Sequence, residues 1–190
     1  MKREQLNLTE EDGYAALSGH VLEKALLGRE RYGPTIDEGA LLRLIQDREI
    51  IRFPTYIKYN DEALMDGEFA WARPRGERPK DGYDIVVATM FQDRPDDLVA
   101  IVAYHLVRVN YLDVATHKEA ELFGAALLGV EIDEYYERLC GLADELPRPA
   151  MREVLEFDDE DQNLPVVAPP VAVGACASAG GCGSGSCGCK

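Results

Sequence analysis

Apolar positions recur at helical spacing in five stretches of the chain and run together in three shorter ones. Leu17, Val21, Leu22, Ala25 and Leu26 fall on one stripe of a helix that Thr9 caps and that runs to about Leu27. Glu10, Glu11 and Asp12 face its positive end, and Gly28 or Gly33-Pro34 stops it. "TIDEGALLRLIQD" reads as a second helix, with Thr35 and Glu38 at capping-box spacing. "REIIRFPTYIKY" is rich in β-branched and aromatic residues and reads as a strand. Pro54 within it calls for an edge position or a bulge. "GEFAWAR" is a second short strand, "RPRGERPKDG" a turn-rich and locally basic connection, and "YDIVVATMF" the clearest strand.

"RPDDLVAIVAYHLVRVNYLD" follows. Pro95 suits the first helical turn, with Asp96 and Asp97 beside it. Leu98, Ile101, Val102, His105, Leu106, Val109 and Leu112 make one broad face. Val99, Ala100 and Ala103 leave little polar surface elsewhere, which predicts a buried helix. "THKEAELFGAALLG" is a fourth helix, with Thr116 and Glu119 as a capping box and Gly129 as its stop. "DEYYERLCGLADELP" is a fifth, ended by Pro147, whose inner stripe is Tyr136, Leu139, Cys140, Ala143 and Leu146. Cys140 reads as a small buried apolar residue.

These elements predict an α+β fold: a small sheet of about three strands packed by about five helices, followed by a disordered C-terminal tail. Residues 1–34 form an N-terminal helical arm and 35–147 the core domain. Residues 148–175 are an acidic and Pro/Val-rich linker, and 176–190 a tail rich in Cys, Gly and Ser.

Charge narrows the partners. The formal net charge of the 190 residues is −15, and an acidic surface repels phosphate backbones and anionic lipid. Nucleic acid and membrane surfaces are therefore excluded as partners. The start, "MKREQLNLTEEDGY", has no apolar core of a signal peptide, and no run reaches the ~18 apolar residues of a membrane span. These features place the protein in the cytoplasm, where thiols stay reduced.

The order of a strand ending near Phe91, a buried helix with His105 and a helix carrying "EAELFGAALLG" is similar to the core of small zincin-type metallopeptidases, over residues 67–147. In that family the first helix carries His-Glu-x-x-His, and the second a third, acidic ligand in a phrase like this one. Here "HLVRV" keeps His105 but has Leu106 at the general-base position and Val109 at the second histidine position. Zinc hydrolysis needs two imidazoles four residues apart and a carboxylate to take a proton from bound water. The resemblance thus implies a divergent member. If a metal site survives on the helices, His105, His117 and Glu121 are its candidates.

No Gly-x-Ser-x-Gly or P-loop occurs. The remaining chemistry lies in "GACASAGGCGSGSCGCK", where Cys176, Cys182, Cys187 and Cys189 supply four thiols among glycine and serine. Four thiolates satisfy zinc, copper(I) or an iron–sulfur cluster. The uneven gaps differ from the paired knuckles of structural zinc sites and suit a segment that catches or hands over metal. The primary expectation is therefore a cytosolic metal-binding or metal-handling protein, non-catalytic, with a metal-receiving partner. Two alternatives stand beside it. One is a zincin-like metal-dependent hydrolase. The other is a precursor peptide whose tail is altered by a tail-modifying protein, because "GGCGSGSCGC" resembles the core segments of ribosomally made, modified peptides.

Overall fold

The computed structural model of the chain describes residues 9–147. The expected linker (148–175) and tail (176–190) lie outside them.

The first helix, α1, spans Glu10–Tyr32. Thr9 Oγ1 accepts from the Asp12 N–H at 3.2 Å, and the Asp12 carboxylate accepts from the Thr9 N–H at 2.9 Å. This reciprocal box satisfies two amides that the helix start leaves open. The helix does not stop at Gly28 but continues to Tyr32, and Gly33, at φ +113°, ends it. Gly28 instead permits close packing: a Cβ there would lie 3.0 Å from Leu127 Cδ1 and 3.1 Å from Leu44 Cδ1. The buried stripe is Val21, Ala25 and Gly28, narrower than expected, with Leu26 half-exposed. Val21 and Ala25 belong to the same core cluster as the rest of the described chain. The described part of segment 1–34 therefore packs on the core through this stripe.

Helix α2 covers Glu38–Leu44. Its cap is Asp37, which accepts from the Ala40 N–H at 2.7 Å. The Thr35–Glu38 box is not formed, because Asp37 sits two positions closer to the helix and takes the cap. The strand expected across residues 48–59 begins only after Pro54. Ile50 and Ile51 are buried in the preceding turn.

Three strands form one sheet: β1 (Thr55–Tyr59), β2 (Ala70–Pro74) and β3 (Tyr83–Val87), in the order β1-β3-β2. β1 runs parallel to β3 and β2 antiparallel to it. Pro54 precedes an edge strand, where its missing N–H breaks no ladder. Its carbonyl accepts from the Tyr83 N–H at 2.7 Å. Register puts Ile57, Ala72 and Ile85 on one face, and α3 (Pro95–Tyr111) packs against β2 and β3. The other face carries Tyr56, Lys58, Trp71, Arg73, Asp84 and Val86. Val86 is buried there between the paired Lys58 and Trp71. Asp84 is only 4% exposed, and it meets Lys58 Nζ at 2.9 Å, Arg73 Nη2 at 3.2 Å and Arg75 Nε at 3.5 Å. Burial alone would raise its pKa. The hydrogen bonds from Lys58 and Arg73, and the charges of Lys58 and Arg75, outweigh burial and hold the carboxyl below its ordinary value.

α3 is buried nearly all round, as its lack of polar surface predicts. Leu98, Ile101, Val102, Leu106 and Val109 are at most 1% exposed. Leu112 falls outside the helix, at φ +57°, where the chain turns away. Helix α4 (His117–Leu128) has the predicted Thr116–Glu119 box and a left-handed cap at Gly129, φ +71°. Glu119 is itself buried and also accepts from Ser18 Oγ at 3.1 Å, which ties α4 to α1.

Helix α5 (Ile132–Asp144) corrects an expectation. Its buried residues are Tyr135, Leu139 and Leu142. Tyr136 is 52% exposed and Cys140 is exposed too. The helix is rotated so that Tyr135 enters the core, where its hydroxyl donates to the Ala100 carbonyl at 2.7 Å. Among the described residues, no helix is long and apolar enough to cross a membrane.

Candidate functional site

Cys176, Cys182, Cys187 and Cys189 lie outside the described residues. The helical candidates lie within them, around two separate cavities on either side of His105. A cavity of about 300 Å³ is lined by His105 and Glu121, with Phe69, Tyr104, Tyr136 and Cys140. A second, of about 230 Å³, is lined by His105 and His117 but not by Glu121. The three residues therefore do not converge on one cavity. Among the described residues, no group of three His, Cys, Asp or Glu side chains is placed to hold a metal ion.

The local reasons are visible in α3 and α4. His117 is the first residue of α4, directly after its cap, and is exposed. Glu121, one turn later, faces α5 across the larger cavity. His105 lies mid-way along α3, partly exposed, with the Tyr104 ring 5.4 Å and the Phe69 ring 6.3 Å from its own. Its Nε2 is buried and has no hydrogen-bond partner. Burial pushes the imidazole pKa down to about 4, so the ring is neutral at physiological pH. No family model matches this chain, and no curated protein or solved structure matches it either.

The positions that zinc hydrolysis would need are occupied by packing residues. Leu106 and Val109 are fully buried, so that face of the helix serves the core. What the larger cavity offers instead is a neutral imidazole, a carboxylate and an exposed thiol among aromatic and small apolar side chains. Burial raises the Tyr104 pKa, and the Glu121 charge adds to that shift. Tyr136 is raised first by its hydrogen bond with Cys140. Sequence reasoning missed Tyr104, Tyr136 and Phe69 as cavity walls. Their only signal was aromatic content, which core packing also produces.

Proposed function

We propose that this chain is a cytosolic metal-handling protein without catalysis of its own, in which Cys176, Cys182, Cys187 and Cys189 take up a soft metal ion as thiolates. The observation that carries this reading is the sequence of residues 176–190, where four of the five cysteines stand among glycine and serine. Zinc, copper(I) or an iron–sulfur cluster suits such a donor set. Fixing a glycine-rich backbone costs about 1–2 kcal/mol per residue. Thiolate–metal bonds are strong enough to offset that cost, and the opposition of the two terms suits capture followed by release to a receiving protein.

The reading is tested by anaerobic purification of the full chain and of a form ending at Gly174, with metal content measured on both. The full chain is expected to carry metal and the shortened form none. Metal kept by the shortened form, or none on the reduced full chain, overturns the proposal.

A further inference from the structure

A third cavity, of about 250 Å³, lies where α1, the turn before β1 and the end of α3 meet. Lys24 comes from α1, Arg48 and Arg52 from the turn, and Asn110 and Tyr111 from α3; His20 and Glu49 complete the polar lining. Three cations thus face one concavity in a chain that has 35 acidic residues against 20 basic ones. None of Lys24, Arg48 and Arg52 is ion-paired among the described residues. The lining carboxylate, Glu49, is already held by Arg31 at 2.6 Å. Glu23 lies close enough for its charge to act on Tyr111.

Arg48 and Arg52 are positioned by neutral contacts. Buried Asn110 accepts from the Arg52 backbone N–H at 2.8 Å and donates Nδ2–H to the Ile50 carbonyl at 2.8 Å. Arg48 Nη1 donates to the Ile51 carbonyl at 3.3 Å. The Arg52 guanidinium lies 5.2 Å from the centre of the Phe53 ring. His20 and Tyr111 hydrogen-bond each other at 2.8 Å and form the opposite wall.

We propose that this cavity binds the phosphate group of a small phosphorylated molecule. Three unpaired cations, two of them guanidinium forks, match a dianion better than a single carboxylate. The volume admits a phosphate with a short organic body. A long polyanion is disfavoured by the net charge of −15 on the chain.

The test is calorimetric titration of the full chain, at fixed ionic strength, with inorganic phosphate, glycerol 3-phosphate and acetate, alongside NMR shift mapping. Phosphate and the monoester are expected to bind and acetate not. Tighter binding of the monoester identifies an ester as the ligand, and equal binding identifies free phosphate; both carry the phosphate site. Arg52→Gln and Lys24→Gln are each expected to weaken binding about tenfold, and Lys58→Gln to leave it unchanged. Shifts in the wild-type chain are expected at Arg48, Arg52 and Tyr111, which keeps the result readable if a variant fails to fold. No binding at about 10 mM phosphate or monoester, equal binding of acetate, or shifts confined to the Lys58–Arg73–Arg75 face overturn the proposal. The readout does not involve metal, so its failure is distinct from failure of the thiolate reading.

Discussion

Replacing Gly124 with alanine is expected to destabilise the protein by about 3 kcal/mol. Gly124 lies in α4 where α5 crosses it, and a Cβ there would run into the ring and hydroxyl of Tyr135. Tyr135 has no room to yield. It is 1% exposed, and its hydroxyl is bonded to the Ala100 carbonyl of α3. Accommodating the methyl group therefore means moving α5 or breaking a buried hydrogen bond, which leaves the Tyr135 hydroxyl unsatisfied. Gly19 provides the internal comparison. It lies inside α1 with nothing within 4 Å of a built Cβ, so Gly19→Ala is expected to stabilise by about 0.5–1 kcal/mol through helix propensity. Urea unfolding of both variants measures the contrast. A Gly124→Ala midpoint at or above the wild-type value contradicts this account of the α4–α5 contact.

The second large effect is a loss of stability in mild acid that traces to His105. Its folded pKa is depressed to about 4 by burial, against 6.5 for the free side chain. Between those values the unfolded chain binds a proton that the folded chain refuses, so stability falls as pH drops from 6.5 towards 4. The contribution is complete above the unfolded value and amounts to about 3 kcal/mol. Unfolding curves measured from pH 7 to pH 4 on the wild type and on His105→Leu separate this group from the carboxylates, which titrate in both. The wild type is expected to lose more stability than the variant across that window. Parallel curves show that Nε2 is open to water and that His105 is not sealed.

How far the fold was legible depends on how local each determinant is. The boxes at Thr9–Asp12 and Thr116–Glu119 close within one turn, and the caps formed where the spacing put them. Asp37 displaced Thr35 because two cap-competent residues stood next to the same helix, and spacing alone does not rank them. The sheet was readable from β-branched content, and Pro54 marked its edge. The face of α5 was not readable. Tyr135 and Tyr136 are adjacent and chemically identical, and the choice between them rotates the helix by about 100°. What decides it is the space above Gly124, which belongs to another helix. The candidate sites divide in the same way. The cysteines of residues 176–190 are evident from composition. The separation of His117 from Glu121 around His105, and the gathering of Lys24, Arg48 and Arg52 from distant segments, exist only once the helices pack.

The reduced full chain can be titrated with zinc or copper(I) and then alkylated, with each cysteine located by mass. Cys140, exposed on α5, is the built-in reference. Metal is expected to protect Cys176, Cys182, Cys187 and Cys189 together while Cys140 continues to react. Reaction of all five cysteines at rates that metal does not change would contradict the proposal that the tail thiols act jointly as the metal site.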